Sequence, residues 1–394
     1  MKVTIVGGGF GGVKTALELL KDSRNEVTLI TDKPDFQYYP ALYNTATGHT
    51  HAQSWVPLTE IFAGKENITV LIDTIATIDA DAKQLTTING VVIDYENCIL
   101  ALGAVTTYFG IEGLDTYAYG IKSFGEIQKL KEHLHNEVRH QHALDHHYVI
   151  IGAGPTGVEL AANLKPYLER LRKQYKLKRQ KYTIDMIEAA PRVLPRMTEP
   201  VSKLVTKRLR SLGVHVHANK KVESQDESHL KVSGEFIDTH SVIWTSGVAN
   251  SPFYKANESQ FRFAPNGKVQ VNEYMQVNKH LWVIGDNAAT QWSGLAQTAL
   301  RDAKFVAHNI RRKQDGRKLK KYSNYTPQIV VPVGDNWAVY SWKGIVLTGW
   351  LGNIPRRVAD IIGYTDILPL GHALRLVMSE KKLEDDFYSI SKPE

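Results

Sequence analysis

The sequence opens with Lys2-Val3-Thr4-Ile5-Val6-Gly7-Gly8-Gly9-Phe10-Gly11-Gly12, an apolar run that leads into a glycine-rich turn. Apolar residues recur at positions 13, 16, 17 and 20, the spacing of an amphipathic helix, and residues 26–31 form a second apolar run. Gly7, Gly9 and Gly12 give the GxGxxG pattern, which combines a tight turn, close approach of a pyrophosphate and close helix–strand packing. This stretch predicts a βαβ unit that binds a dinucleotide.

The same pattern returns in the middle of the chain, after the apolar run 147–151, at Gly152, Gly154 and Gly157. Each unit also has an acidic residue after its second strand, where a carboxylate can accept hydrogen bonds from a ribose. These acids are Asp32 and Glu188, and a basic helical extension over residues 165–181 accounts for the longer interval in the second unit. Two such units are typical of chains that bind FAD and a nicotinamide cofactor.

Three later segments have the character of loops that pass close to a cofactor. Each follows a strand-like run, and they contain Gly103 (101–104), Gly247 (244–248) and Asp286 (284–288). A carboxylate at Asp286 could accept hydrogen bonds from a ribityl chain, whereas the alternative for Gly285-Asp286 alone is an ordinary turn. We predict an α/β fold with two Rossmann-type dinucleotide-binding domains, glutathione-reductase-like in arrangement, and a C-terminal amphipathic segment.

Composition excludes several kinds of chemistry. The 394 residues include one cysteine, Cys98, so intrachain disulfides, redox-active cysteine pairs and multi-thiolate zinc sites are excluded. The longest apolar run is 98–102, too short to span a membrane. A net charge of +7 favours an anionic partner. Histidines cluster over 133–147 without completing a metal-ligand pattern, and nothing resembles a base-reading module, so we predict neither a metal site nor nucleic-acid binding.

Further motifs occur in a specific order along the chain. They are Tyr39-Pro40-Ala41-Leu42-Tyr43, Ala46-Thr47-Gly48, Tyr108-Phe109-Gly110-Ile111, Val158-Glu159-Leu160-Ala161, Pro191-Arg192-Val193-Leu194-Pro195, Trp244-Thr245-Ser246-Gly247-Val248 and Ala296-Gln297-Thr298-Ala299. Together with the two glycine-rich turns they make the sequence resemble the type II NADH:quinone oxidoreductases. The resemblance covers residues 1–312 and is weaker over the remainder.

That resemblance implies a peripheral, monotopic flavoprotein on the cytoplasmic face of the cell membrane. It implies oxidation of NADH, reduction of a membrane quinone (menaquinone or ubiquinone) without proton pumping, contact with an anionic membrane surface, and a homodimer. Non-covalent FAD is expected on the N-terminal lobe and NADH on the second lobe, with the quinone entering beneath the C-terminal segment.

Site residues follow from the resemblance by position. For FAD these are Gly7, Gly9, Gly12 and Asp32 at the pyrophosphate and ribose, Asp286 at the ribityl chain, and Thr47 and Gly103 along the flavin. For NADH they are Gly152, Gly154, Gly157, Glu188 and the loop at Gly247. Glu159 matches a family glutamate near flavin and nicotinamide, where it is implied to take part in proton handling.

Two departures from the family pattern affect the site. The acid that often follows the second strand directly is Thr31 here, so Asp32 must reach from one residue further on. The family pattern AQxAxQQ reads Ala296-Gln297-Thr298-Ala299-Leu300-Arg301-Asp302, which keeps Gln297 but replaces both later glutamines. Arg301 could stabilise negative charge on a quinone oxygen, or it could pair with Asp302 or Glu159 as a structural residue.

The C-terminal segment is basic and amphipathic. Apolar residues recur over 370–378 at helical spacing, and Arg356 and Arg357 are expected to open an earlier helix. Such helices suit a membrane interface, and the alternative is a pair packed on the protein or on a second subunit. We predict an FAD-binding domain in two parts (1–118 and 248–322), an NADH-binding domain (119–247) and a C-terminal anchoring or dimerisation segment (323–394).

Other functions remain open on sequence grounds. One is a soluble reductase that passes electrons to a ferredoxin-like protein, against which the amphipathic C-terminus argues. A sulfide:quinone oxidoreductase shares the fold but needs cysteines at its flavin, which this chain lacks. A membrane-attached scaffold that retains FAD structurally would not need the second glycine-rich unit.

Overall fold

The computed structural model describes residues 1–323 and 325–384. The strands are β1 (Lys2–Val6), β2 (Glu26–Thr31), β3 (Asp35–Gln37), β4 (Trp55–Pro57), β5 (Ile68–Ile72), β6 (Ile75–Asp79), β7 (Gln84–Thr87), β8 (Val92–Asp94), β9 (Asn97–Leu100), β10 (Ala104–Thr106), β11 (His147–Ile151), β12 (Thr183–Glu188), β13 (Val214–Ala218), β14 (Val222–Gln225), β15 (His229–Val232), β16 (Glu235–Asp238), β17 (Ser241–Trp244), β18 (Val248–Asn250), β19 (Gln276–Asn278), β20 (Leu281–Val283), β21 (Ile329–Pro332), β22 (Ala338–Trp342) and β23 (Ile345–Leu347).

The α-helices are α1 (Phe10–Leu19), α2 (Leu42–Ala46), α3 (Leu58–Ile61), α4 (Leu114–Tyr117), α5 (Phe124–Asn136), α6 (Pro155–Gln174), α7 (Glu199–Ser211), α8 (Pro252–Ala256), α9 (Ala296–Gln314), α10 (Gly349–Thr365) and α11 (Leu370–Met378).

The first lobe is built on a six-stranded sheet in the order β19-β20-β9-β1-β2-β5. All its strand pairs are parallel except the β19–β20 hairpin. Residues 3–6 of β1 are buried, as expected for a strand covered on both faces. α1 packs closely against α9, so the glycine-rich turn before α1 and the segment before α9 lie on the same side of this lobe.

The second lobe repeats this design with a parallel sheet in the order β13-β12-β11-β17. Its central strand β11 is buried over residues 148–151 and leads directly into the second glycine-rich turn. β14, β15 and β16 form a small antiparallel sheet beside it, and β10 pairs with β18 to join the two lobes. The two βαβ units predicted from the sequence are therefore present.

The C-terminal segment consists of the antiparallel sheet β21-β22-β23 followed by α10 and α11. We expected Arg356 and Arg357 to open the helix that is α10. The helix instead begins at Gly349 and contains Pro355 internally, so this expectation was wrong. The cost of a proline there is the lost hydrogen bond to the preceding turn, and packing of α10 on β22 and α11 offsets it.

One side of α10 and α11 belongs to the core of the first lobe. Tyr364, Ile367, Leu368, Ala373 and Leu376 are buried in the same apolar cluster as β1, α1 and α9. The opposite side is exposed and carries Trp350, Leu351, Ile354, Val358, Ile362, Leu370, Leu374 and Met378. The apolar stripe predicted over 370–378 is thus divided between an inner and an outer face. Among the described residues, no helix has the length and hydropathy to cross a bilayer.

Candidate functional site

The first glycine-rich turn requires glycine at two positions for packing reasons. Gly7 has a φ of +115°, and a Cβ atom there would lie 2.3 Å from the carbonyl oxygen of Ala101. A Cβ atom at Gly12 would lie 1.8 Å from the carbonyl oxygen of Gly7. The Gly7 amide donates to the carbonyl of Ile30 at 2.7 Å, which fixes the turn against the end of β2. These contacts place the 101–103 loop directly beside the turn.

The same turn leaves a cradle at the N-terminus of α1. Gly9 is the N-cap residue, and within the described residues a Cβ atom at Gly9 or at Gly103 would meet nothing within 4 Å. Gly9 has no side chain to cap the helix, so the first-turn amides of α1 are available to a ligand. Such amides, together with the positive end of the helix dipole, favour the phosphates of a dinucleotide.

Asp286 lies in a short helical turn after β20, close to the loop that contains Gly103. Burial raises the pKa of its carboxyl, while the charges of Lys268 and Lys122 and a hydrogen bond from the Ala104 backbone act in the opposite direction. The structure therefore brings Asp286 to the loop next to the cradle. A partly buried carboxylate there can accept hydrogen bonds from ligand hydroxyls.

Asp32 and Thr47 have contrasting environments. Asp32 follows β2 and is exposed, with the Lys33 ammonium 4.0 Å from its carboxylate, so it is accessible to a ribose. Thr47 is buried, and its hydroxyl donates to the carbonyl of Tyr43 at 2.9 Å. Its own carbonyl accepts a hydrogen bond from Arg170 in α6. The hydroxyl and the carbonyl of Thr47 are thus both occupied by hydrogen bonds within the fold.

The second glycine-rich turn reproduces the geometry of the first. Gly152 has a φ of +105° and its amide donates to the carbonyl of Ile187 at 2.8 Å. A Cβ atom at Gly157 would lie 1.9 Å from the carbonyl oxygen of Gly152. Gly154 is the N-cap residue of α6, and among the described residues a Cβ atom there would meet nothing within 4 Å. The second lobe therefore has its own phosphate cradle.

Glu188 ends β12 with its carboxylate fixed beside this turn. One oxygen accepts from the Ala153 amide at 2.7 Å and the other from the Ala190 amide at 2.7 Å. Arg192, the nearest cation along the chain, donates to the carbonyls of Pro195 and Met197, both at 2.9 Å. The carboxylate is consequently oriented by two backbone amides beside the glycine-rich turn.

Gly247 lies between the lobes. Its φ is +75°, and a Cβ atom there would lie 2.5 Å from the carbonyl oxygen of Thr107. Its own carbonyl accepts from the Thr107 amide and from the Lys122 ammonium, both at 3.4 Å. Because the charge of Lys122 also acts on Asp286, this loop and the first-lobe cradle are neighbours.

A buried polar cluster joins the second lobe to the C-terminal segment. Glu159 in α6 is partly buried, and burial raises the pKa of its carboxyl to about 8, although the charge of Arg356 acts to lower it. Arg356 donates to the phenol of Tyr43 at 3.3 Å and pairs with Asp360 one turn later in α10. At neutral pH Glu159 is therefore mainly protonated, next to a permanent cation.

Gln297 and Arg301 lie one turn apart at the start of α9. Gln297 is exposed, and its side-chain carbonyl accepts from the Gln328 amide at 3.1 Å. Arg301 donates to the hydroxyl and carbonyl of Ser323 at 3.1 and 3.2 Å, and its guanidinium lies 4.7 Å from the ring centroid of Tyr325. Neither pairing considered for Arg301, with Asp302 or with Glu159, is how its side chain is held.

Asp302 is fully buried behind the loop that carries Asp286. It accepts from the Tyr322 hydroxyl at 2.7 Å and from the Gly285 amide at 3.1 Å. Burial raises the pKa of Asp302 to about 6 in spite of those two hydrogen bonds. Asp302 thus holds the Gly285-Asp286 turn in place, a role that sequence reasoning did not assign.

Several histidines of 133–147 are held by partners within the fold, whereas His140, His142 and His146 are exposed. His133 bonds to Ser241 at 2.9 Å and stacks on Tyr119, and His147 bonds to Asp185 at 3.1 Å. Over residues 1–323 and 325–384, no group of three or more histidine, cysteine or acidic side chains has a geometry that could hold a metal ion. Cys98 is buried in β9, and burial raises the pKa of its thiol, so it is unsuited to redox chemistry.

Two functional candidates were given no role in the site by the sequence. Arg356 was expected only to open an amphipathic helix, and its side chain is 12% exposed. Tyr43 was part of a family motif without a role of its own. Their contact depends on how α10 packs against α2, which no local pattern encodes.

Comparison with known proteins supports the geometry. The family model for pyridine nucleotide-disulphide oxidoreductases matches residues 1–303. The type II NADH:quinone oxidoreductase NdhA of Mycobacterium tuberculosis is 27% identical over 395 residues, covering 92% of this chain and 84% of the relative. The type II NADH:quinone oxidoreductase of Staphylococcus aureus is 25% identical, covering 95% and 98%.

Solved structures show the same fold. NDH2 from Plasmodium falciparum, determined in complex with NADH, superposes with a TM-score of 0.84 at 17% identity, covering 96% of this chain and 97% of the other. The sulfide:quinone oxidoreductase of Aquifex aeolicus superposes with a TM-score of 0.77 at 20% identity, covering 91% and 89%. These matches confirm the predicted fold class with its two dinucleotide-binding domains.

Proposed function

The chain belongs to the pyridine nucleotide-disulphide oxidoreductase family, and we propose that it oxidises NADH through FAD and reduces a membrane quinone. Support comes from relatives that are named type II NADH:quinone oxidoreductases. The match to this chain covers 84% of one relative and 98% of the other. The observation that carries the proposal is the pair of equivalent glycine cradles, at Gly9 and Gly154, on two lobes of one chain. A single-cofactor binding protein has no use for the second cradle.

The residues of the first lobe fit a non-covalently bound FAD. The amides at the start of α1 would bind its pyrophosphate, Asp32 its ribose and Asp286 its ribityl hydroxyls, with Gly103 and Thr47 lining the ring. When bound, FAD supplies the two-electron acceptor that a nicotinamide can reduce by hydride transfer. The lone, buried Cys98 argues against chemistry in which sulfide or a disulfide partner reacts at the flavin.

The second lobe would bind NADH. Gly152, Gly154 and Gly157 shape the cradle for its pyrophosphate, and the oriented Glu188 carboxylate would accept hydrogen bonds from the adenosine ribose. A phosphate on that ribose would meet the same carboxylate, which repels it. The Gly247 loop, which contacts both lobes, would cover the nicotinamide end.

Proton supply is the task we assign to Glu159. The overall reaction is NADH + H⁺ + quinone → NAD⁺ + quinol, so one proton must reach the quinone in addition to the hydride. Glu159 holds a proton at neutral pH, and Arg356 beside it would stabilise the carboxylate once that proton has left. A raised glutamate pKa near the operating pH is the condition for an efficient general acid.

Membrane attachment would bring the acceptor to the protein. The exposed apolar faces of α10 and α11 suit the interface of a bilayer on its cytoplasmic side, with Gln297 and Arg301 lining the quinone entrance. A peripheral enzyme that does not pump protons is proposed because the relatives are type II NADH:quinone oxidoreductases. A homodimer is also proposed by analogy with the family.

Steady-state turnover of the full chain tests this proposal. Purified protein supplied with NADH and a water-soluble quinone should consume both in equal amounts, while a small ferredoxin-like acceptor should be a poor substitute. Faster reduction of the ferredoxin-like acceptor than of the quinone would favour the alternative function, a soluble reductase of an electron carrier.

A further inference from the structure

A basic groove runs along the exposed side of α9. Its basic lining residues are Arg301, Lys304 and His308 from successive turns of the helix, and Lys320 from the chain that follows it. The groove encloses about 350 Å³. We call it the α9 groove.

The groove has an ordered aromatic wall and a fixed rim. Phe305 and Tyr322 contact each other edge to face, with ring centroids 5.1 Å apart. The side chain of the fully buried Asn309 forms hydrogen bonds with both the carbonyl and the amide of Lys320. The Asn309 amide nitrogen donates to the Lys320 carbonyl at 2.9 Å, and the Lys320 amide donates back at 2.9 Å. The fold thus holds Lys320 opposite α9.

Positive charge in the α9 groove exceeds what its neighbours neutralise. The carboxylate of Asp366 pairs with Lys304 at 2.8 Å but also with Lys14 at 3.0 Å. Nε2 of His308 is buried and has no hydrogen-bond partner among the described residues. Burial and the charges of Lys320, Arg311 and Arg312 lower the pKa of His308. His308 therefore adds little positive charge. Among the described residues Arg301 and Lys320 form no ion pair, and these two side chains leave the groove with a net positive charge.

The α9 groove begins where the exposed apolar surface ends. Asp366, the partner of Lys304, directly follows α10 and stands four residues before Leu370, the first residue of α11. Ile362, one turn before Asp366, and Leu370 are both more than half exposed. A ligand that fills the groove would therefore lie at the edge of the surface proposed to enter the bilayer.

We propose that the α9 groove binds the phosphate of an anionic phospholipid headgroup. Lys304 and Lys320 contact the phosphate, and the Phe305–Tyr322 wall contacts the glycerol. The proposal rests on the membrane attachment proposed above. It adds a specific headgroup site to what would otherwise be a diffuse attraction between a basic protein and an anionic surface.

Vesicle binding tests the site. Full-length protein is sedimented with vesicles of phosphatidylcholine alone or mixed with phosphatidylglycerol. Lys320→Gln should weaken binding to the mixed vesicles about fivefold, the effect expected for one basic residue at an anionic surface, and leave binding to phosphatidylcholine unchanged. Lys207→Gln removes the same charge from an exposed position on α7 and is the matched control. Equal losses in the two variants would overturn the proposal.

A nuclear magnetic resonance titration of His308 separates a lipid from free phosphate. Its ring signals, assigned with His308→Gln, should shift with a soluble short-chain phosphatidylglycerol and much less with the same concentration of inorganic phosphate. Equal shifts would identify a free-phosphate site, and no shift would show that the groove is unused; either result contradicts the proposal.

Turnover of Lys320→Gln with NADH and a water-soluble quinone should match that of the unmodified protein. If the unmodified protein shows no turnover with NADH and quinone, that result contradicts the proposed function and not the lipid site.

Discussion

Arg356, in the middle of α10, donates a hydrogen bond to the phenol of Tyr43, in α2, at 3.3 Å. The contact brings a buried cation from the C-terminal segment to the junction of the two lobes. There its charge acts on Glu159, whose carboxyl has a pKa raised to about 8 by burial. The charge of a residue in the segment proposed to contact the membrane thus acts on the residue proposed to supply a proton.

Glu159→Gln should slow quinone reduction and remove its dependence on pH in the alkaline range. In the unmodified protein the carboxyl loses its proton as pH rises through about 8, so quinone reduction should decline above that pH. Rapid mixing of pre-reduced enzyme with quinone over a pH series measures this step.

Two further observations separate proton supply from a structural role. Glu169→Gln, on the same helix, is the matched control because hydrogen bonds from Arg172 and Tyr182 outweigh burial and lower the pKa of Glu169. The folded protein holds the Glu159 proton that the unfolded chain releases, so this residue makes stability fall as pH rises toward 8. Glu159→Gln should remove that slope in denaturant titrations. An unchanged alkaline profile for quinone reduction would exclude Glu159 as the donor.

NADH should be preferred to NADPH, and Glu188→Ala should reduce the preference. Loss of a charge-assisted hydrogen bond to the ribose corresponds to a change of about tenfold to hundredfold in the ratio of kcat/KM values. Glu199→Ala, an exposed acid at the start of α7, is the control. Equal kcat/KM for the two cofactors in the unmodified protein would show that Glu188 does not read the ribose.

Gln297→Ala should slow reoxidation of the reduced enzyme by quinone about tenfold while leaving reduction by NADH nearly intact. The two half-reactions are expected on opposite sides of the flavin, and Gln297 is exposed beside Gln328 on the C-terminal side. Arg301→Ala distinguishes the roles left open for that residue. A loss in the quinone step alone supports charge stabilisation, whereas lower thermal stability without a kinetic change supports the contact with Ser323 and Tyr325.

Replacing Ile354 and Ile362 by Glu should release the protein from phosphatidylcholine vesicles. Each inserted isoleucine contributes roughly 1.5–3 kcal/mol when removed from water, so the double variant should bind more than tenfold more weakly. Ile88 and Val92 on the first lobe are at least as exposed, at 66% and 56% against 52% and 54%, and the same double replacement there is the control. If the two double variants bind phosphatidylcholine vesicles equally well, α10 is not the membrane contact. Deletion of the segment is a poorer test, because it removes the carboxylate that pairs with the buried Lys14.

Local geometry explains why the sequence predicted the cradles so well. A left-handed φ at Gly7 and the contact of Gly12 with the Gly7 carbonyl demand glycine at fixed positions, and the following helix supplies the phosphate site. Those requirements act over a dozen residues and so are written in a short motif. The family resemblance added the order of the lobes.

Long-range packing explains what the sequence did not predict. α10 begins at Gly349 and not at the expected Arg356, because tertiary contacts carry the helix through Pro355. Arg356 was expected only at a helix start, and it is buried against Tyr43. Asp302 was noted only as a replacement of a family glutamine, and it accepts a hydrogen bond from the Gly285 amide. Each role depends on elements far apart in the chain.

The most direct test of NADH oxidation coupled to quinone reduction is a spectrum of the purified protein during one catalytic cycle. The protein is expected to show the absorbance of bound flavin, to lose it when NADH is added without oxygen, and to recover it when quinone follows. A flavin band that NADH does not bleach, or that quinone does not restore, would contradict the proposed function.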